Sequence, residues 1–383
     1  MFQIYPFRKL VINTAIDLVN NELIGKIEVS DIKINIFKGV QIDSLKIFAD
    51  GDVFADIGSI QIKYDLFPLF RKRLILDNIV IDNPKLKLIR NLNDSLWNFE
   101  KIVKPSEDTS VSETPDWILN IKKFALNKGI ISIYDSNSIS NNSVTFNPTN
   151  LNISDLNLDL SGTYNLTKSK IHITIHQFSF FETNYGLNIS KFSSVISLDT
   201  SMISVNNFEL MTKKSDIKID GSLKNFNIFG RLDSLDNSTN GYLKLQIDSL
   251  DNSDIGIFTN SKSNIQTKFS LITLISGNLK EIEIKKFLLN GPNTSLDIEG
   301  RISYPLELEK TNFSLLLNDS KIDYYDLAAN LSNGVLKSIP KFNNLFIRKL
   351  TAKGNKNQIE GDIKLEIDLG NLLSNFDIKF NNN

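Results

Sequence analysis

The chain has no cysteine and only two histidines in 383 residues. Without cysteine there is no disulfide framework, no thiolate nucleophile and no cysteine-held metal. This suits an exported bacterial protein and equally an AT-rich genome, as the Ile/Lys/Asn bias suggests, so the compartment stays open on composition alone. Charge of one sign is lacking too. Forty-three Lys and Arg stand against forty-four Asp and Glu, a net charge of −1, and the basic stripe that grips nucleic acid is missing. No apolar run approaches the roughly 20 residues of a spanning helix, and no charged-then-apolar leader with a small-residue cleavage site is visible. GxGxxG, GxxxxGK[ST], GxSxG and HExxH do not occur. No enzyme activity, catalytic residue, metal or cofactor is expected.

The two histidines, His172 and His176, alternate with Ile171, Ile173 and Ile175. Residues four apart on a strand share a face but lie ~13 Å apart, too far to share one metal. A solvent-facing structural role is expected. DSLDNS occurs twice, at Asp233 to Ser238 and Asp248 to Ser253. Its carboxylates could hold calcium, but the spacing lacks the ligand register of a known loop, and two equivalent turns between neighbouring strands explain it better.

What is present is alternation. From Gly25 to Phe99 apolar and polar residues alternate, as in strands with one apolar face. Ile27 and Val29 share one parity, and Ile32, Ile34 and Ile36 the other; the phase returns with Leu45 and Ile47. Such a slip moves the apolar set to the wrong face unless a turn or bulge absorbs it, so Ser30-Asp31 and Asp43-Ser44 are read as strand junctions. Then come Ile60, Ile62, Tyr64 and Leu66, a basic turn at Arg71-Lys72-Arg73, Leu74 and Leu76, Ile79 and Ile81, the breaker Asn83-Pro84, and Leu86 and Leu88.

This stretch carries IxIFKGVxI, ADIGSIxI, YDLFPLF with its basic turn, LxLDNIxIDNPKLxLIR and NDSLWNF. In that order these segments resemble the N-terminal region of AsmA/TamB-like proteins of diderm bacteria, closely over about the first hundred residues and in texture beyond. The resemblance implies a curled β-sheet groove (a β-taco, or repeating β-groove) that carries phospholipid between inner and outer membranes in the periplasm. It implies an inner-membrane anchor that is separate from or missing in this chain, because the family usually has a spanning helix just ahead of this region. Some members are associated with outer-membrane protein assembly, which makes that machinery a further expected partner. Trp97 and Phe99 sit where the family expects an aromatic, and are read as a core anchor.

Residues 1–24 have the spacing of an amphipathic helix. Pro6 suits its first turn, Phe7, Leu10, Val11, Ala15, Leu18 and Val19 form one stripe, and Gly25 is a C-cap. It caps the apolar face of the sheet or continues a membrane anchor as a juxtamembrane segment, two compatible readings. Residues 25–103 are the first β module and 104–117 a polar linker (KPSEDTSVSETP). Residues 118–383 continue the repeating β-groove, opening with a hairpin turning at Lys128-Gly129 after Phe124 and Leu126.

Beyond the linker there is a degenerate repeat. Asn206 to Gly221 aligns without a gap on Lys285 to Gly300, so that Phe208 matches Phe287, Leu210 matches Leu289, Ile217 matches Leu296 and Ile219 matches Ile298. A third copy ends at Gly361, and Ile121 to Gly129 is an earlier cousin. Each unit reads as strand, turn and strand, its final glycine permitting positive φ or close backbone approach. Ile171, Ile173 and Ile175, Leu243, Leu245 and Ile247, Phe313, Leu315 and Leu317, and Ile363, Leu365, Ile367 and Leu369 show the same one-sided pattern. One short segment, Leu327 to Ile339, has helical apolar spacing.

The expected fold is therefore mostly β, an elongated and curled antiparallel sheet of about 20 strands after the linker, with an N-terminal helix. Its lipid-facing rows would comprise Ile32, Ile34, Ile36, Ile60, Ile62, Ile79, Ile81, Phe124, Leu126, Ile171, Ile173, Ile175, Ile217, Ile219, Leu243, Leu245, Ile247, Leu296, Ile298, Phe313, Leu315, Leu317, Ile363, Leu365 and Ile367. The expected function is passive carriage of phospholipid tails. The alternatives are assembly of outer-membrane proteins through exposed strand edges, or a closed structural or binding module.

Overall fold

The structure, a computed structural model, describes residues 24–35, 38–102, 117–138, 146–229, 238–259, 268–307, 309–326, 343–367 and 370–379. The expected N-terminal helix, the polar linker up to residue 116, Ile36, Leu369 and the segment Leu327 to Ile339 lie outside them. Eighteen strands are formed: β1 (Lys26–Asn35), β2 (Gly39–Ala49), β3 (Asp52–Asp65), β4 (Arg73–Arg90), β5 (Ile118–Asp135), β6 (Asn150–Asn165), β7 (Lys170–Glu182), β8 (Asn188–Leu198), β9 (Met202–Thr212), β10 (Asp216–Lys224), β11 (Asn240–Asp251), β12 (Lys268–Asn278), β13 (Glu281–Asn290), β14 (Ser295–Ser303), β15 (Asn312–Asp323), β16 (Asn344–Asn355), β17 (Gln358–Ile367) and β18 (Gly370–Lys379). Among the described residues a short helix, α1 (Asn252–Thr259), follows β11, residues 324–326 are helical, and two 3-10 turns occupy Phe67–Arg71 and Asn98–Lys101. The chain divides into two compact units, Met1–Ser193 and Ser194–Asn383, with β8 running through the boundary.

In the first unit β1 to β4 pair in sequence order and antiparallel. β4 then pairs with β5 in parallel, and β5 to β7 return to antiparallel order. The expected hairpin at Lys128-Gly129 is absent: residues 118–135 form one long strand. The described ladders are thus mostly antiparallel, as expected, with β4–β5 the parallel exception, because a strand that does not fold back arrives beside β4 pointing the same way.

The parity slips explain why. Ser30, Ser44, Gly58, Asn83, Lys128 and Asp155 lie at matching heights on β1 to β6, and Ser44, Asn83, Lys128 and Asp155 have φ of 53°, 52°, 53° and 50°. These are bulges inside strands, each adding one residue and restoring the apolar set to its face. Ser30-Asp31, Asp43-Ser44 and Asn83-Pro84 are therefore not junctions. Val29 pairs Leu45 and Asp31 pairs Asp43, with the register unchanged across the bulge, because facing strands slip together. β4 and β5 each slip twice, at Asp77-Asn78 against Lys122-Lys123 and at Asn83 against Lys128, and remain in one register from Arg73↔Ile118 to Arg90↔Asp135. The bulges let strands run to 18 residues. Among the described residues fourteen strands, β5 to β18, follow the linker segment, against the expected count of about 20.

The second unit pairs β9 to β18 antiparallel in sequence order. The repeat hairpins are β9–β10, β13–β14 and β16–β17, as the alignment predicts, whereas Ile121 to Gly129 lies within β5. The repeat glycines do not take positive φ. They sit in apolar rows where a neighbour comes close: a Cβ on Gly300 would lie 2.3 Å from the Ser314 carbonyl oxygen. The second DSLDNS is the end of β11 leading into α1, not an inter-strand turn; Asp251 Oδ1 accepts from Ser253 N–H (2.9 Å) and Oγ–H (2.6 Å). The first copy lies almost entirely outside the described residues.

Little is deeply packed. Among the described residues the buried apolar side chains are Ala49, Ala55, Ile102, Ala125, Leu156, Leu187, Ile189, Phe226, Ile247 and Ile347.

Candidate functional site: apolar rows across the strands

Cross-strand pairing lines up residues from successive strands, and in the first unit it lines up apolar ones. One row is Ile32, Ile42, Ile60, Ile81, Leu126, Leu158 and Phe178, and the next is Ile34, Val40, Ile62, Ile79, Phe124, Leu160 and Ile175. Beyond the bulges a third row runs Ile27, Ile47, Ala55, Leu86, Ile131 and Ile153. Seven strands at ~4.8 Å make each of the first two rows roughly 29 Å long, close to the hydrocarbon thickness of a bilayer. The opposite face reads Lys33, Gln41, Gln61, Val80, Ala125, Asp159 and Gln177 at one such level. That face is polar with apolar members at its middle.

The second unit repeats the arrangement over nine strands. Phe208, Ile219, Leu245, Thr273, Phe287, Ile298, Leu317, Leu350 and Ile363 form one row, and Leu210, Ile217, Ile247, Leu271, Leu289 and Leu296 another. Thr273 interrupts the first row at little cost, since its buried Oγ–H donates to the Lys286 carbonyl at 3.0 Å. Phe313 joins Leu223, Gly241, Gly277, Ile282 and Ile302 in a row where two facing glycines remove side chains. A concavity of about 290 Å³ opens there, lined by Leu223, Gly241, Leu243, Ile275 and Ile282 among others.

Most of the predicted residues are half-buried, with Ile34 at 55% and Leu243 at 37% exposure as the open extremes. Leu315 and Leu365 lie in neighbouring rows, Leu365 opposite Ile347. Ile171 and Ile173 lie opposite Tyr164 and Gly162. Ile367 pairs with Leu345 through its backbone, and its side chain is outside the described set.

Other expectations fall elsewhere. His172 and His176 are exposed on β7, and His176 Nε2 lies 3.0 Å from Ser161 Oγ. Among the described residues no cluster of His, Asp and Glu has the makings of a metal site. Phe99 is 41% exposed, so it does not anchor a core. It stacks on half-buried Trp97 at 6.3 Å, and the Arg90 guanidinium lies 5.1 Å over the indole.

Sequence reasoning missed the carboxylates that end the strands. Asp135, Glu182, Asp251 and Asp323 are buried and each accepts hydrogen bonds from the turn that follows. Glu182 takes Asn184 N–H at 3.0 Å and Tyr185 N–H at 2.7 Å, and Asp323 takes Tyr325 N–H at 2.9 Å. Asp135 takes Asn137 N–H at 3.0 Å and is also bound bidentately by Arg90. The Arg90 hydrogen bonds hold its carboxyl below the usual range, against the opposing effect of burial. The available signal was an acidic residue closing an apolar run, in three of the four cases two positions before Asn or Ser and at Asp323 before Tyr325, a local turn cap.

The described arrangement is thus apolar rows on each unit with polar strand ends. No family model, no curated protein and no solved structure matches this chain.

Proposed function

We propose that the apolar rows hold the hydrocarbon tails of phospholipid while headgroups stay in water, and that the protein moves lipid without chemistry. The observation that carries this reading is the continuity of half-buried Ile, Leu, Val and Phe rows across seven strands of one unit and nine of the other. Each methylene moved out of water contributes about 0.8 kcal/mol. A uniform row grips a tail firmly yet offers no deep minimum along its length. The resemblance of the first hundred residues to AsmA/TamB-like proteins supports phospholipid as the cargo and the periplasm, between inner and outer membranes, as the setting.

The test is native mass spectrometry and lipid extraction of the purified chain, wild type against Ile219→Asp with Ile298→Asp. Phospholipid that co-purifies with the wild type and is lost from a variant of unchanged circular dichroism is the expected result. A lipid-free wild type overturns the reading. A second reading rests on β18, which pairs with β17 alone among the described residues: that strand could lend its free edge to another β protein. Photocrosslinking from Asn375 should then trap a protein rather than lipid.

A further inference from the structure

The connection from β3 to β4 reads Leu-Phe-Pro-Leu-Phe-Arg-Lys-Arg, residues 66–73, and its form is tightly fixed. Asp65 Oδ1 accepts the Phe67 N–H at 3.0 Å, and Leu69 N–H donates to the Leu66 carbonyl at 3.2 Å. Lys72 N–H donates to the Leu69 carbonyl at 2.9 Å, with Lys72 itself in the left-handed region at φ 54°. In a 3-10 helix, side chains three apart eclipse. Phe67 and Phe70 therefore project on one side, and Leu66 and Leu69 on another. The leucines are half-buried, while Phe67 is 79% and Phe70 91% exposed.

Charge gathers at the same place. Pairings Asn35↔Gly39, Asp65↔Ile75, Arg73↔Ile118 and Asn165↔Lys170 put the β1–β2, β3–β4 and β6–β7 turns at one end of the first unit. Ile118 N–H donates to the Lys72 carbonyl and Leu166 N–H to the Trp117 carbonyl, each at 3.0 Å. In or beside these turns Lys38, Arg71, Lys72, Arg73, Lys168 and Lys170 are all exposed. Asp65 is the one carboxylate there among the described residues. At the opposite end of the unit charge is balanced within pairs, Lys101 with Asp50 and Asp94 and Arg90 with Asp135.

We propose that this end of the first unit docks on the surface of an anionic phospholipid bilayer. Phe67 and Phe70 enter the interfacial layer, and Arg71, Lys72, Arg73, Lys168 and Lys170 meet the headgroup phosphates. Two preset aromatic rings backed by cations complement a layer of negative charge with hydrocarbon behind it. A nucleic acid duplex would engage the cations through its phosphates and leave the rings in water; a single strand could stack bases on them, and the experiment below separates it from a bilayer. The proposal is independent of what the apolar rows hold, since it concerns only this tip.

Flotation of the full chain with vesicles of phosphatidylcholine, alone or mixed with phosphatidylglycerol, tests it. Binding is expected only to the mixed vesicles, and to fall as salt shortens the Debye length from ~10 Å to ~3 Å. R71E/K72E/R73E should weaken it about a hundredfold, and F67S/F70S about tenfold, with circular dichroism unchanged. In F70W the added indole emission should shift to the blue with mixed vesicles. Wild type that stays with neither vesicle, F67S/F70S that binds as wild type does, or an F70W emission that does not move overturns the proposal. So does binding of single-stranded DNA in preference to mixed vesicles.

Discussion

In the first unit β1 to β6 all carry an extra residue near mid-strand, bulge facing bulge. In the second unit the row-forming residues of β10, β12, β14 and β17 keep one parity, while β9, β13 and β16 slip, at Asn207, at Lys285-Lys286 and at Arg348. Where a slipping strand faces a regular one the register shifts by one, as between Ile219 and Gly221, between Ile284 and Phe287, and between Ile347 and Lys349. Where two slipping strands face each other, as at Asp319 and Arg348 of β15 and β16, it does not. The difference teaches that the unit of design is the cross-strand row rather than the strand. Either both partners add a residue or the ladder absorbs the offset, and the apolar row continues in both cases.

The matched bulges of β4 and β5 offer the strongest way to break this. Deleting Lys128 turns Ile131 and Ile133 to the polar face, at about 1.5–3 kcal/mol for each, a large share of a domain's stability. The urea midpoint of the first unit should fall sharply. Deleting Asn83 as well should cost at least about 1 kcal/mol less than the sum of the single deletions, because β4 and β5 then match again; simple additivity would count against the row argument.

A smaller effect separates the repeat glycines. Gly300→Ala should destabilise the second unit by about 1–3 kcal/mol, because its Cβ would meet backbone at 2.3 Å. At Gly221 the nearest such atom, the Tyr242 carbonyl oxygen, lies at 3.3 Å. There the gain in strand propensity offsets the crowding, and thermal melts should hardly differ from wild type.

Next is pH. Asp135 is held below its ordinary carboxyl range by Arg90. Its stabilisation is therefore complete above about pH 4, the unfolded value, and is lost as pH falls through the lower folded value. Asp135→Asn should flatten the acid limb of a stability profile of the first unit, and an unchanged limb would remove the pair from the argument. The smallest effect is expected at Arg348→Ala: its ion pair with Asp319 spans 3.5 Å with the two side chains 49% and 78% exposed. Equilibrium unfolding should change by less than about 0.5 kcal/mol, since backbone conformation rather than charge holds that bulge.

Much of this was legible from alternation. Every parity change read from Ser30, Asp43 and Asn83 marks a real irregularity, and the three repeat hairpins fall where their glycines and apolar pairs align. What alternation could not distinguish was a slip that ends a strand from one that bends it. Asn and Asp tolerate positive φ at modest cost, so Asn83 and Asp155 can bulge without the glycine that usually betrays such a position. The parallel β4–β5 ladder was hidden for a related reason, since strand direction leaves no mark on a two-residue period. The apolar rows were legible as sets of residues; which residue stands opposite which depended on the bulges.

The parallel ladder also sets an order of events. Most other ladders in the first unit close by a short turn, but β4 and β5 are separated by 27 residues. Closing that span costs about 1 kcal/mol more loop entropy than closing the seven residues between β3 and β4. The four-stranded meander β1–β4 and the three-stranded meander β5–β7 can each zip locally. Their seam, registered from Arg73 to Arg90, is the slow, non-local step. It is also the place where an incompletely folded chain would present two long unpaired edges at once.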